Sequence, residues 1–300
     1  MLIKKYFSIC LFSVLLFIIS SLVQGNTLIW QDEFDGALLD ETKWTRQDKS
    51  GVDTGNNQKE YNTTRVDNSY LEDGFLVIKA MKEEYSGYHY TSARIRTKGK
   101  GDFLYGKIEA RIQIPTGNGT WPAFWMMPTD SVYGGWAASG EIDIMESVNE
   151  AAETYGTPHY GGAYPNNDST GGSHYTDGDT NFADDFHIYG IEWEENEIRW
   201  YCDGNLFKTV TSWWSSGASY PAPFDQNFYI ILNLAIGGNW PDSDYDSSGN
   251  TTTPLDSEPF PKYMKIDWVR VYSLDDTTPT PTPSPTLIPV PLTIRSWYLY

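Results

Sequence analysis

The sequence predicts an all-β protein, built as a sandwich or a jelly roll. Short apolar runs of strand length recur through the 300 residues, and clusters of Gly, Pro, Asn and Asp separate them at close spacing. No long stretch carries an apolar stripe of helical period with capping residues at its ends. Many short strands joined by turns are typical of β-sandwiches and jelly rolls, and the length suffices for one large domain of this kind or for two smaller ones.

The predicted strands can be followed along the chain. The first covers 30–35 and leads into an acidic turn, a polar loop follows at 46–60, and 70–81 contains two strand-like pieces around a turn at Asp73-Gly74. The clearest strand is 107–114, because Ile or Ala alternates with a charged or polar residue at every position. Asp203-Gly204 predicts a hairpin turn. The remaining predicted strands are 90–95, 186–193, 198–202, 206–210, the nearly all-apolar 228–236, and 262–272.

Both ends of the chain differ in composition from the part between them. Residues 1–25 are predicted to be a secretory signal peptide, because two lysines precede an apolar run, and the small residues Val23 and Gly25 suit a cleavage site. An uncleaved membrane anchor is the alternative, since the run approaches spanning length. After cleavage we expect a secreted, extracellular protein without stable membrane association. Residues 275–300 are predicted to be a Pro/Thr-rich linker with a short tail, which a truncated further module would explain.

The composition restricts the kinds of partner. The formal net charge of −19 argues against nucleic acid, whose phosphates require a basic surface. A neutral polymer is compatible with this charge, although acidity also simply keeps an exported protein soluble. The 12 Trp and 21 Tyr residues favour sugar rings, which aromatic faces cover while their polar atoms stay hydrated. Cys202 stands alone once the segment with Cys10 is removed, so no intramolecular disulfide is predicted.

One short segment, 140–147, holds three carboxylates among hydrophobic residues. In a regular strand, Glu141 and Asp143 point to one side and Glu146 to the other. A β-bulge at Ile144–Met145 would bring Glu146 to the same side. We call Glu141, Asp143 and Glu146 the acid trio, and carboxylates paired in this way hydrolyse glycosidic bonds. A calcium site or a solvated acidic edge strand is the alternative interpretation of the same residues.

The same segment resembles the E-x-D-x-x-E signature of glycoside hydrolase family 16, in its laminarinase-like branch. Further matches to the family, in chain order, are WQDEF at 30–34, YGKIEARIQIP at 105–115, WPAFWMMP at 121–128, FHIYGIEW at 186–193, NLAIGGNW at 233–240 and DWVRVY at 267–272. Together they span about residues 28–273, so 26–274 is identified as a catalytic domain of this family. The resemblance implies a β-jelly-roll of two curved antiparallel sheets, with the substrate in a cleft along the concave face.

The resemblance also implies a role for each member of the acid trio. Glu141 would be the nucleophile, Asp143 the assisting acid and Glu146 the general acid/base of a retaining endo-hydrolase. A negative charge on Asp143 would keep the catalytic acid protonated between the two steps, since like charges disfavour ionisation. No catalytic cofactor is expected.

Six further residues are predicted to bind the substrate, and they are Asn57, Arg94, Trp121, Trp125, Trp136 and His159. Trp121 and Trp125 are expected to flank the strand before the acid trio, and aromatic residues at matching positions of similar enzymes pack against sugar rings. Each of the six has a structural alternative. For tryptophan it is core packing, for Arg94 a salt bridge within the sheet, and for His159 a purely structural role.

One structural Ca²⁺ ion is implied by the resemblance as well. Its ligands would be the carboxylates of Glu33 and Asp267 and the backbone carbonyl of Gly74, which we call the predicted calcium site. Oxygen ligands from distant segments suit Ca²⁺, and the ion would tie the first strand to the last. Alternatively, Glu33 and Asp267 make only surface hydrogen bonds.

The sequence therefore predicts a secreted, monomeric endo-β-1,3-glucanase that acts on laminarin-like β-glucans by double displacement. A mixed-linkage β-1,3-1,4-glucanase, with lichenase-type specificity, is the nearest alternative. A non-catalytic β-glucan-binding module is another, although such a module would not need three adjacent carboxylates. A hydrolase of sulfated galactans is disfavoured by the acidic charge.

Overall fold

The computed structural model describes residues 26–171, 174–175, 181–243 and 255–274. The predicted signal peptide and the predicted linker with its tail lie outside these residues. The described residues belong to one compact unit, Asn26–Asp275. In this part of the chain, no helix is both long and apolar enough to span a membrane.

The described residues form twenty strands and three short 3₁₀ helices. The strands are β1 (Thr27–Asp32), β2 (Thr45–Arg46), β3 (Lys49–Ser50), β4 (Glu60–Asn62), β5 (Ser69–Glu72), β6 (Phe75–Tyr85), β7 (Tyr88–Ser92), β8 (Arg94–Arg96), β9 (Asp102–Phe103), β10 (Gly106–Gln113), β11 (Thr120–Pro128), β12 (Glu141–Glu146), β13 (Thr154–Gly161), β14 (Asn167–Ser169), β15 (His174–Tyr175), β16 (His187–Glu194), β17 (Glu197–Cys202), β18 (Asn205–Val210), β19 (Phe228–Ile236) and β20 (Lys262–Ser273). The 3₁₀ helices are Val52–Thr54, Pro241–Ser243 and Leu255–Ser257.

These strands form two sheets. The first sheet has eleven strands in the order β18-β17-β16-β10-β20-β6-β7-β4-β3, with β1 paired to β20 and β5 to β6. The second sheet has nine strands in the order β14-β13-β12-β11-β19-β8-β2, with β15 paired to β13 and β9 to β19. Pairing is antiparallel apart from the parallel pair β4 and β7. The predicted all-β jelly-roll sandwich is confirmed.

The core consists of apolar side chains that the two sheets bury against each other. In β10 buried and half-buried residues alternate along the whole strand, as the sequence pattern of 107–114 predicts. In β19 all nine residues are buried, because this strand lies inside the second sheet and is covered on both faces. Each fully buried large apolar side chain contributes about 1.5–3 kcal/mol to stability. The apolar pattern of these strands thus determines which face of each sheet is covered.

Two predicted turns adopt the backbone that a two-residue hairpin needs. Asp203 and Gly204 have φ angles of 48° and 76°, and they join β17 to β18. Asp73 and Gly74, with φ angles of 53° and 81°, join β5 to β6 in the same way. Two consecutive residues of positive φ match the twist of the flanking strands, and Asp-Gly tolerates this conformation. Both turn predictions are confirmed.

Three local predictions differ from the structure. The predicted strand 90–95 is divided at Ala93 between β7 of the first sheet and β8 of the second. The predicted loop 46–60 contains β3 and a 3₁₀ helix. Its end is fixed to β19, because the buried carboxylate of Glu60 accepts a hydrogen bond of 2.9 Å from the backbone N–H of Ile236.

Trp121 and Trp125 do not flank a strand but lie within β11. Pro122 argues against a central strand in the sequence, because proline cannot donate a backbone hydrogen bond to a neighbouring strand. In the structure, pairing with β12 and β19 on its two sides stabilises β11.

Candidate active site

The acid trio lies on β12, between β11 and β13 in the second sheet. Pairing with β13 is regular up to Asp143 and resumes at Glu146, so Ile144 and Met145 together oppose the single residue Gly156. This is the predicted β-bulge, and it is confirmed. On the side of β11, the residue without a partner is Ile144. Both bulge residues are buried in the core, and the extra residue therefore turns Glu146 to the face that carries the other two acids.

Each glutamate of the acid trio accepts a hydrogen bond from a tryptophan indole. The Nε1–H of Trp136 donates to Oε2 of Glu141 over 2.8 Å, and the Nε1–H of Trp121 donates to Oε1 of Glu146 over 3.0 Å. Trp136 is 37 % exposed, whereas Trp121 is only 7 % exposed. Trp136 can therefore present its ring to a ligand, whereas the buried Trp121 contacts Glu146 and Trp240.

His159 lies beside the acid trio from the neighbouring strand β13. Its Nε2 atom is 3.0 Å from Oδ2 of Asp143 and 4.0 Å from Oε1 of Glu141. The contact with Asp143 is not aligned as a hydrogen bond, and that oxygen is buried without a hydrogen-bond partner. The ring of Trp136 lies 5.6 Å from the His159 ring, measured between centroids. The structure thus places His159 within the site, next to the residue predicted to assist the nucleophile.

Burial strongly favours the protonated form of all three acids. Burial and, after it, the nearby charge of Asp143 raise the pKa of Glu141 to about 8, while His159 opposes the shift. Burial likewise raises the pKa of Glu146 to about 8, with Asp143 adding to the effect and the Trp121 hydrogen bond opposing it. Burial also raises the pKa of Asp143 to about 8, although a hydrogen bond with Glu141 lowers it. The site therefore holds protons at neutral pH, as a general acid requires.

Arg94 on β8 packs against Trp125 on β11, the strand that pairs with the acid-trio strand β12. The guanidinium carbon of Arg94 lies 4.6 Å from the ring centroid of Trp125, whose indole N–H donates to Oδ1 of Asn233 over 2.7 Å. Within the described residues Arg94 makes no ion pair, and its Nε atom is buried without a partner. The salt-bridge alternative for Arg94 is thus not what the structure shows. The sequence analysis did not name Asn233 as a site residue, although an amide in an otherwise apolar, buried strand is a signal that could have identified it.

Asn57 lies in an exposed loop that is pinned next to Trp121. Its side-chain amide donates to Oδ1 of Asn239 over 2.7 Å. The neighbouring Trp240 packs edge-on against Trp121, with ring centroids 5.6 Å apart. Contacts through Asn239, Trp240 and Trp121 thus connect Asn57 to Glu146. Tyr164 is a further missed residue, since its ring lies 6.4 Å from that of Trp136 and is 75 % exposed. Substrate contact by these residues stays a prediction.

The residues of the predicted calcium site lie at the first sheet, apart from the acid trio. Both oxygens of Glu33 accept hydrogen bonds of 2.8 Å from Arg270, and Oδ2 of Asp267 accepts one of 2.7 Å from Arg111. Each carboxylate is thus already neutralised by its own arginine. This arrangement does not present a ready set of oxygen ligands, and calcium binding stays a prediction.

Comparison with known proteins agrees with this geometry. Residues 50–270 match the family described as Glycosyl hydrolases family 16. The chain is 43% identical over 270 residues to the Glucan endo-1,3-beta-glucosidase A1 of Niallia circulans, covering 83% of this chain and 38% of that protein. It is 39% identical over 257 residues to the Beta-glucanase of Rhodothermus marinus, covering 82% and 84%. The chain thus spans well under half of the Niallia protein, but most of the Rhodothermus one.

A solved structure extends the likeness to the fold. The laminarinase catalytic domain of Thermotoga maritima MSB8 matches with a TM-score of 0.68 and 36% identity, over 83% of this chain and 98% of that domain. Sequence and fold thus agree over the part of the chain that carries the acid trio. The chain belongs to glycosyl hydrolases family 16.

Proposed function

We propose that this chain hydrolyses internal β-1,3-glucosidic bonds of laminarin-like β-glucans with retention of anomeric configuration. The observation that carries this proposal is the bulged strand β12, which brings two indole-bonded glutamates together on either side of Asp143. The names of the Niallia and Thermotoga relatives support a β-1,3 linkage. The name of the Rhodothermus relative does not specify a linkage.

The three acids titrate as a coupled group, and the reactive state is the one in which Glu141 is ionised and Glu146 is protonated. In the first step, the carboxylate of Glu141 attacks the anomeric carbon while Glu146 transfers its proton to the glycosidic oxygen. The carbon–oxygen bond to the leaving sugar breaks, and a covalent glycosyl-enzyme remains. The Trp136 N–H holds the Glu141 carboxylate in place, because it donates to the oxygen Oε2. Because burial raises the pKa of Glu146 to about 8, this carboxyl can supply the proton at neutral pH.

In the second step, Glu146 acts as a base. It takes a proton from water, the water oxygen bonds to the anomeric carbon, and the bond to Glu141 breaks. A carboxylate oxygen of Asp143 lies within 4.8 Å of one of Glu141, and the charge of Asp143 raises the pKa of Glu146. Asp143 therefore orients the nucleophile and helps Glu146 to recover its proton between cycles.

Two substitutions test the roles of the glutamates. Glu141→Gln and Glu146→Gln are expected to abolish hydrolysis of laminarin while the far-UV circular dichroism spectrum stays unchanged. Glu150→Gln, at an exposed carboxyl near the same strand, is the matched control and should keep full activity. Substantial activity in either active-site variant would refute the assignment. NMR of the first products should show the β-anomer, and an early α-anomer would exclude retention.

The alternatives differ in substrate. Reducing-sugar release is to be compared across laminarin, barley β-glucan, lichenan, agarose and carrageenan. We expect laminarin to be cleaved fastest. Preference for lichenan and barley β-glucan would identify the mixed-linkage enzyme, and cleavage of carrageenan would identify a hydrolase of sulfated galactans. Binding of laminarin without any cleavage would identify a non-catalytic module.

We further propose that the protein is secreted after removal of residues 1–25 and acts as a monomer. The charged, apolar and small-residue regions of that segment support secretion. The mass of the protein recovered from culture medium tests cleavage, and light scattering coupled to size exclusion tests the oligomeric state. A cell-bound protein of full mass would favour the membrane-anchor alternative.

A further inference from the structure

The bulge in β12 interrupts backbone pairing at the catalytic strand. Regular pairing with β13 stops after Asp143 and starts again at Glu146. Two carbonyl oxygens at this interruption, those of Asp143 and Gly156, accept hydrogen bonds from side chains of the first sheet. The Nε1–H of Trp200 donates to the Asp143 oxygen over 2.8 Å, and the Nζ ammonium of Lys208 donates to the Gly156 oxygen over 2.5 Å. Buried backbone carbonyls need such partners, so these bonds stabilise the irregular strand.

Trp200 and Lys208 form one packed unit beneath the bulge. They are cross-strand partners on β17 and β18, and the Lys208 Nζ atom lies 5.2 Å from the Trp200 ring centroid. Both side chains are buried, with exposures of 0 % and 5 %. Trp200 fills the space in which a side chain at position 156 would lie, since a Cβ atom on Gly156 would be 2.3 Å from its Cδ1 atom. The indole therefore packs directly against β13 at the residue that lies opposite the bulge.

Lys208 also brings a buried positive charge to the back of the acid trio. It forms no ion pair with a carboxylate in the described part of the chain, and its ammonium donates only to the carbonyls of Gly156 and Thr170. Burial lowers the pKa of Lys208 to about 8, and the charge of Asp143 opposes that shift. Lys208 in turn lowers the pKa of Asp143. Burying a lysine without a carboxylate partner costs free energy of folding. The position of Lys208 behind three acids gives a functional reason for accepting this cost.

We propose that Trp200 and Lys208 are positioning residues of the active site, which hold the β12 bulge and place a positive charge behind Asp143. This inference rests on the proposed roles of the acid trio. Within the described residues, His159 on β13 and Arg94 on β8 also lie near the trio. Lys208 differs from them because it reaches β13 from the first sheet, through the Gly156 carbonyl opposite the bulge.

Three variants test the inference. Lys208→Met removes the charge and the donor at similar length, and Lys208→Arg keeps both. Trp200→Phe removes the indole N–H together with one of the two fused rings and keeps an aromatic group; the Trp193→Phe control accounts for the lost ring. Lys208→Met is expected to lower kcat on laminarin about tenfold or more with little change in KM, because ground-state contacts to the sugar are untouched. Its pH optimum should move up by about half a unit or more, since loss of the cation makes the acid trio harder to ionise. Lys208→Arg should keep the pH optimum of the wild type. Trp200→Phe should lower kcat without changing the pH optimum.

Matched controls come from the same sheet. Lys262 is a buried lysine that donates to the Thr116 carbonyl over 2.9 Å, and Trp193 is a buried tryptophan that donates to the Phe224 carbonyl over 3.2 Å. Lys262→Met and Trp193→Phe should lower the melting temperature but keep kcat and the pH optimum of the folded enzyme. A merely structural role would make the test variants behave like these controls.

The outcomes separate this inference from the proposed function. If Glu141→Gln is inactive while folded Lys208→Met and Trp200→Phe match their controls in kcat and pH optimum, only the positioning role is refuted. If Glu141→Gln stays active, the proposed function itself is wrong. Should Lys208→Met fail to fold, Trp200→Phe decides the matter, because a kcat equal to that of Trp193→Phe would overturn the inference.

Discussion

Burial of the acid trio should make this enzyme less stable at alkaline pH, and one substitution should reverse the effect. We consider Glu141→Gln. The glutamine side chain has the same shape, its carbonyl oxygen can accept the Trp136 indole bond of 2.8 Å, and its amide can donate to Asp143. The substitution therefore removes the charge and keeps the contacts. Because function, not stability, explains three acids packed on one strand, their removal should stabilise the fold.

The magnitude follows from the pKa of Glu141, which burial raises from 4.5 to about 8. A raised pKa means that the folded state binds the proton more tightly than the unfolded state does. The resulting stability is complete below about pH 4.5 and is lost as the pH rises towards 8. At about 1.4 kcal/mol per unit, the full shift corresponds to about 5 kcal/mol. Since the three acids share one site, and a proton on a neighbour relieves part of this cost, we expect Glu141→Gln to stabilise the protein by about 1–2 kcal/mol at pH 8.

The assay is thermal unfolding of the wild type and of Glu141→Gln at pH 5 and pH 8. For a domain of this size, 1–2 kcal/mol corresponds to a rise in melting temperature of about 3–6 °C at pH 8. At pH 5 the two proteins should unfold within about 1 °C of each other, because Glu141 is then already protonated. Glu150→Gln, at an exposed carboxyl, should not change the difference between the two pH values. An equal shift at both pH values, or a less stable variant at pH 8, would refute the reasoning.

Three further outcomes are expected. Trp121→Phe removes an indole hydrogen bond of 3.0 Å that favours ionised Glu146. The pKa of Glu146 should therefore rise, and the alkaline limb of the kcat/KM profile should move up by about half to one pH unit. An unchanged alkaline limb would contradict this. Trp44→Phe removes a buried hydrogen bond of 2.7 Å to Asp32. It should lower the free energy of unfolding, measured in urea, by about 1.5–3 kcal/mol with an unchanged m value. A decrease below about 0.5 kcal/mol would contradict this. If the predicted calcium site is occupied in solution, a chelator should lower the melting temperature; an unchanged transition at low calcium would remove that proposal and leave the arginine pairs as the only visible partners of its carboxylates.

The sequence by itself predicted the fold class, most of the strands of six or more residues, and the bulged strand with its three acids. These features depend on patterns among residues that are close together in the sequence. Alternation of period two marks β10, a continuous apolar run marks β19, and Asp-Gly pairs mark two hairpins. The bulge was predictable as well, because the odd spacing of Glu146 from Glu141 and Asp143 cannot place three acids on one face of a regular strand.

Only the tertiary structure decided what surrounds the acid trio. Lys208 occupies an ordinary position in the sequence of β18, and neither its burial nor its reach to Gly156 can be read there. Trp200 meets the Asp143 carbonyl across 57 residues of sequence. The arginine partners of Glu33 and Asp267 depend on strand order in the same way. Local patterns specify which residues form strands, but the register and packing of distant strands decide which side chains face one another, and the electrostatics of the site depend on those contacts.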